Sequence, residues 1–133
     1  MTEKALVVHS SAIVAILTNE ADAPALVRRL VRAPRRFVNA ATVFECSIVL
    51  ERRLGERGTA LLDEFLTMMT AEIVPFDVTS LGWARRAWRK FGKGVHPAGL
   101  NLGDCVSYAT AMHLALPLLF KGDDFARTDI EAA

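Results

Sequence analysis

Five side chains of this 133-residue sequence stand where metal binding or catalysis would need them, at strand ends or helix starts. His9 ends the first predicted strand, and Glu45 lies one turn into the helix after the second. Asp104 lies in the first turn of the sixth helix, and Asp123 and Asp124 directly follow the last strand. In an open parallel sheet, strand C-termini and helix N-termini gather along one edge, which is where ligands bind. Residues far apart in the chain would then meet in one cleft. Clustered carboxylates repel one another, and a cation between them makes the cluster tolerable at neutral pH. Oxygen ligands suit Mg²⁺ or Mn²⁺, which also bind phosphate, and a pair of such ions clamps both oxygens of an in-line displacement. Phosphodiester hydrolysis is the chemistry this set would serve. Each acid also has a plain structural reading. Thr42-x-x-Glu45 has the form of a capping box, Asn101-x-x-Asp104 resembles one, and Gly122-Asp123-Asp124 reads as a turn.

The elements that must position these residues alternate between short apolar runs and amphipathic stretches. Ala5–Val8 reads as a buried strand followed at once by a helix over Ser10–Leu17. In 22–32, Leu26, Val27, Leu30 and Val31 share one face, with Arg28, Arg29 and Arg32 largely opposite, which predicts an amphipathic helix ending before Pro34. Arg36–Asn39 is a second strand, and helices over 41–54 and 56–70 meet at Gly55. In the latter, Leu61, Leu62, Phe65, Leu66, Met68 and Met69 cover an arc wide enough for burial on two sides, against a core or a partner subunit. Ile73–Pro75 is a third strand, 79–92 a helix, 102–115 another, and Leu118–Lys121 the last strand. Strands alternating with helices argue for an α/β architecture: a central parallel sheet of about four short strands flanked by helices. No repeat or linker divides residues 1–133, so a single domain is expected.

Composition narrows the function classes. The chain is 52% hydrophobic and 23% charged, ordinary for a folded protein with one core. A net charge of +1 gives little whole-molecule attraction to a polyanion, so nucleic-acid binding would need local patches. Arg85, Arg86, Arg89, Lys90 and Lys93 form one such stripe, opposite Leu81, Ala84, Trp88 and Phe91, which read as core. It could contact RNA phosphates, or be a solvated helix face. Arg28, Arg29, Arg32, Arg35 and Arg36 form a second basic cluster with the same ambiguity. Cys46 and Cys105 read as buried free thiols; zinc binding would call for paired spacing. The N-terminal stretch carries no leader-like pattern and no run is long enough to span a membrane, so a cytoplasmic protein is expected.

Four segments together resemble one family. Val8-His9-Ser10-Ser11-Ala12-Ile13-Val14-Ala15-Ile16-Leu17 is similar to the opening of VapC toxins, which are PIN-domain ribonucleases. Ala40-Ala41-Thr42-Val43-Phe44-Glu45 resembles their second acidic motif, and His96 through Cys105, with Asn101 and Asp104, their third. Leu118 through Phe125, with Thr128-Asp129-Ile130 beyond, looks like their closing segment. The resemblance spans nearly the whole chain. It implies a PIN-like fold, Mg²⁺- or Mn²⁺-dependent endoribonuclease activity on RNA, a homodimer, and inhibition by a VapB-type antitoxin. By position, Glu45, Asp104 and Asp124 match catalytic acids. Asp104 and Asp124, with Asp123, match metal ligands; Ser11 matches a hydroxyl near the metal and Asn101 a polar neighbour of the third acid.

His9 departs from the pattern, because the family commonly has Asp there. A neutral imidazole supplies neither the charge nor the hard oxygen that Mg²⁺ prefers, although it could ligate Mn²⁺ or Zn²⁺. Three accounts fit: a substitution engineered to disarm a toxin, a naturally degenerate toxin, and a shifted metal preference. The expectation is an impaired ribonuclease. The alternative is a catalytically inactive module that binds RNA or sequesters the antitoxin.

Overall fold

The computed structural model describes residues 3–133; the first two residues of the N-terminal stretch read above lie outside it. The elements run β1 (Leu6–Val8), α1 (Ser10–Leu17), α2 (Ala23–Arg32), β2 (Arg36–Asn39), α3 (Ala40–Leu54) and α4 (Glu56–Met68). After them come β3 (Glu72–Val74), α5 (Val78–Phe91), α6 (Leu102–Leu114), β4 (Leu118–Leu119) and a 3₁₀ turn over Phe125–Arg127. These match the expected elements to within a residue or two, the range in which helix ends fray.

The four strands form one sheet in the order β3-β2-β1-β4, and every neighbouring pair is parallel. The expected α/β parallel sheet with flanking helices is the observed one. The chain builds outward from β1 through β2 to β3, then returns to place β4 on the other side of β1. Such a reversal opens a crevice beyond the carboxyl ends of the two strands that flank it. His9 follows β1 directly, and Lys121 through Asp124 follow β4. The first and last candidate segments are therefore neighbours because of topology.

Strand alternation divides the core in two. Leu6, Val8, Val38 and Leu119 point to one side, where they pack with Ile13, Leu30, Leu50, Leu62 and Phe65 of α1–α4. Val7, Phe37 and Leu118 point to the other, against Ala87, Phe91, Leu100, Tyr108 and Phe125. Successive side chains of a strand face opposite ways, so three-residue strands buried on both faces suffice to join both helical layers. In the broad apolar arc of α4, Leu62, Phe65 and Leu66 are buried in the protein's own core, and Met68 points outward at 72% exposure. The core thus accounts for one side of that arc. At the α3–α4 corner a Cβ on Gly58 would lie 2.4 Å from the Leu50 carbonyl oxygen, so only glycine permits so close a turn.

Candidate functional site

The site begins with His9, an extended residue (φ −85°, ψ 154°) that caps α1. Its Nδ1 accepts a hydrogen bond from the Ser11 backbone N–H at 3.1 Å and lies 2.7 Å from Ser11 Oγ. Ser11 Oγ in turn accepts the Lys121 backbone N–H at 2.9 Å, which ties the loop after β4 to the start of α1. A backbone N–H can only donate, so Nδ1 carries no proton and the ring proton is assigned to Nε2. Nε2–H then donates to Asp104 Oδ1 at 2.9 Å, between side chains only 9% and 7% exposed. Phe125 presents its ring edge-on to the imidazole, with centroids 4.9 Å apart, and closes that side.

Asp104 is held equally firmly at its other oxygen. The Asn101 side chain accepts the Asp104 backbone N–H at 2.9 Å, and Asp104 Oδ2 accepts the Asn101 backbone N–H at 3.0 Å. This is the reciprocal capping box suggested by the spacing, and it sits at the positive end of the α6 dipole. Both carboxylate oxygens of Asp104 therefore have a protein donor.

Glu45 reaches the same helix end from α3. A Cβ on Gly103 would lie 2.7 Å and 2.8 Å from its two carboxylate oxygens, so glycine is what lets the side chain approach. Glu45 Oε1 is buried and has no hydrogen-bond partner among the described residues. The capping box read into Thr42 and Glu45 does not form. The helix starts earlier, with Asn39 as cap receiving the Ala41 N–H at 2.9 Å, while Thr42 is buried 3.4 Å from Ser107 Oγ. Asp123 and Asp124 are exposed on the loop between Lys121 and the buried Phe125.

One sheet edge thus gathers His9, Ser11, Asn101, Asp104, Glu45 and the Asp123–Asp124 loop, yet they do not form a metal shell. Among the described residues no group of three or more His, Cys, Asp or Glu side chains converges as metal ligands would. Nε2 of His9 presents a proton where a metal would need a lone pair, and that proton points at Asp104 Oδ1. In this arrangement the residues do not fit the divalent ion that the family implies. Of the buried carboxylate oxygens described at this site, Glu45 Oε1 is the one left without a hydrogen-bond partner.

Beside the site runs a groove of about 900 Å³ between α5 and the start of α6. Arg85, Arg89 and Lys93 line it together with Phe76, Trp88 and Leu102, and Asn101 joins it to the acidic end. The basic stripe is therefore divided: Arg86 lies over the Trp83 ring at 4.9 Å, and Lys90 pairs with Asp129 at 3.4 Å. Leu81 and Trp88, expected in the core, line this groove instead, with Trp88 at 45% exposure, whereas Ala84 lines it and also packs, half-buried, against the core. Only Phe91 of that set is buried, because Ala87 and Phe91 form the α5 face that packs into the core beside α6. The other arginine cluster is largely consumed locally. Arg36 donates to the carbonyls of Leu30, Ala33 and Met69, and Arg35 makes a two-pronged pair with Glu72.

Both cysteines are buried and unpaired. Burial, and then the Glu45 charge, pushes the Cys46 thiol up to about 12; burial and the Asp104 charge push Cys105 up to about 11. Thiols held protonated are poor metal ligands. Two participants had no plain signal in the sequence: Gly103, whose missing side chain makes room for Glu45, and the backbone of Lys121, which anchors Ser11.

Comparison with known proteins agrees with this layout. The PIN domain family model matches residues 6–131. "Ribonuclease VapC" of Mycolicibacterium smegmatis is 45% identical over 127 residues, covering 96% of this chain and 98% of that one. Among solved structures, Mycobacterium tuberculosis VapC20, described as a sarcin-ricin loop cleaving toxin, superposes with a TM-score of 0.77. It has 14% identity, over 96% of this chain and 98% of that one. A toxin–antitoxin complex from Klebsiella pneumoniae gives 0.69 at 15% identity, over 93% and 92%. At such identities the two structures speak for the fold, whereas the curated relative speaks for the family. The chain belongs to the VapC family of PIN-domain proteins.

Proposed function

We propose that this protein is the toxin component of a type II toxin–antitoxin pair, acting on RNA in the cytoplasm, with cleavage impaired by His9. The named relatives are ribonucleases, and the carboxylates lie at the switch point of a parallel sheet, where such folds place their chemistry. With a carboxylate restored at position 9, Asp104, Asp124 and the adjacent Asp123 would bind Mg²⁺ or Mn²⁺, with Glu45 as a further catalytic acid. Arg85 and Arg89 would hold phosphates along the groove, and Arg86 and Lys90, already engaged by Trp83 and Asp129, would contribute less. Ser11 and Asn101 would position His9 and Asp104. A VapB-type antitoxin and a second copy of the chain are the protein partners, and the exposed Phe44, Val78 and Leu102 are apolar surface for them to cover.

One observation carries the impairment: the His9 Nε2–H occupies Asp104 Oδ1. The same bond favours a second reading, an inactive module that binds RNA or holds the antitoxin without cutting. The test uses purified protein, a structured RNA, and Mg²⁺ or Mn²⁺, with His9→Asp and with Asp104→Asn as control. His9→Asp is expected to raise cleavage about 10-fold or more, the scale on which groups around a metal matter. Equal cleavage by both forms would defeat the impairment. Folded His9→Asp protein that binds RNA yet never cleaves it would favour the inactive module.

A further inference from the structure

We propose that the His9 imidazole takes the place of the cation, so that this protein holds its acidic centre together without a metal. The proposal starts from the disagreement between the family's expected ion and the bonding present here, and it concerns the folded state, whereas the proposed function concerns cleavage.

A buried carboxylate needs its charge stabilised. Asp104 is nearly fully buried, and its two oxygens face two donors, the His9 Nε2–H at 2.9 Å and the Asn101 N–H at 3.0 Å. The α6 N-terminus adds its partial positive charge. The imidazole is not free to turn. Its Nδ1 faces the Ser11 N–H at 3.1 Å and the Ser11 hydroxyl at 2.7 Å, and that hydroxyl already accepts from Lys121, leaving its own proton for the ring. The Phe125 ring covers the side of the imidazole at a centroid distance of 4.9 Å.

The result is an unbroken chain of donors and acceptors: Lys121 N–H to Ser11 Oγ, Ser11 to His9 Nδ1, His9 Nε2–H to Asp104 Oδ1, and the Asn101 N–H to the other Asp104 oxygen. It links the ends of β1 and β4 to the start of α6, which are the segments a shared ion would tie together. A carboxylate at position 9 could not donate to Asp104. It would place two acids in contact, and a cation would be needed to hold them. Ser11 is the positioning residue, because it fixes which ring nitrogen bears the proton.

The experiment uses the full chain and Mn²⁺ as probe. Thermal unfolding is followed in EDTA and in millimolar Mn²⁺, calorimetry follows Mn²⁺ binding, and long-range proton–nitrogen NMR reads the His9 tautomer while Mg²⁺ is added. The wild type is expected to show the same Tm in EDTA and Mn²⁺, no saturable Mn²⁺ binding, and an Nε2-protonated ring that Mg²⁺ leaves unchanged. His9→Asp is expected to lose several degrees of Tm in EDTA, to regain them with Mn²⁺, and to bind the ion. Saturable Mn²⁺ binding with a raised Tm in the wild type would overturn the proposal, as would an Nδ1-protonated ring. The tautomer is read on unaltered protein, so the test survives if His9→Asp fails to fold. The two readings fail separately. His9→Asp that binds Mn²⁺ but does not cut RNA counts against the nuclease, whereas metal binding by the wild type counts against the neutral imidazole standing in the ion's place.

Discussion

Two carboxylates approach the first turn of α6 from different sides, and their fates differ. Asp104 has a donor on each oxygen, supplied by His9 and by the cap residue Asn101. Glu45, drawn in by the bare Gly103, has one buried oxygen with no partner among the described residues. Both belong to family-like motifs, and both lie within one helical turn of the same dipole. The difference comes from the donors within reach. An acid whose bonds are complete serves the fold, and an acid with an empty oxygen is available to a ligand. The residue at a third position, His9, supplies the bond that Asp104 has and Glu45 lacks.

That contrast can be broken most forcefully at His9. His9→Ala leaves Asp104 Oδ1 buried without a donor and opens a void against Phe125, and is expected to cost about 3 kcal/mol in urea unfolding. A loss below about 1 kcal/mol would mean the bond contributes little to the fold. Asn101→Ala removes the cap but keeps the His9 bond, and should cost about 1–2 kcal/mol by the same measurement.

The neighbouring thiols sharpen the comparison through pH. Both are raised in the folded state, so the fold prefers them protonated. Their contribution is complete below the unfolded thiol value near 8.5, and is lost as pH rises toward about 11 for Cys105 and about 12 for Cys46. The unfolding free energy should therefore fall between pH 8.5 and 10.5, by about 1 kcal/mol per pH unit for each thiol, and less in Cys46→Ala or Cys105→Ala protein. An unchanged alkaline slope in both variants would contradict this.

The smallest effect is expected on the Glu45 side. Glu45→Gln should change stability by less than about 0.5 kcal/mol, since the orphan oxygen has no bond to lose. Gly103→Ala should cost less than about 1 kcal/mol, because the added methyl meets only the far end of a flexible side chain. A loss of several kcal/mol from either would show that the fold depends on Glu45 no less than on Asp104.

Much of the architecture was legible in the residues. The continuous apolar run at Leu6–Val8 and the apolar stripe of Leu26 and Leu30 are local patterns, and the structure keeps them. The Asn101–Asp104 cap was legible for the same reason, since its two partners are three residues apart. The Thr42–Glu45 cap failed because Asn39, three residues earlier, offered a cap at the point where β2 ends. Trp88 was misassigned because periodicity shows which residues share a face and is silent on what that face meets. The helix turns Ala87 and Phe91 into the core beside α6 and leaves Trp88 and Leu81 along the groove.

By itself the sequence determined the elements, their alternation, the family and the odd residue at position 9, because each is written in neighbouring residues or in motif order. Only the tertiary structure decided that Asp104 is bonded at both oxygens and Glu45 is not. Those bonds join His9 to Asp104 across 95 positions and Lys121 to Ser11 across 110, and no local spacing encodes which side chain arrives first. The strand reversal at β1 brings the four segments together, and a single glycine and a single ring proton then set which acid is left with a vacancy.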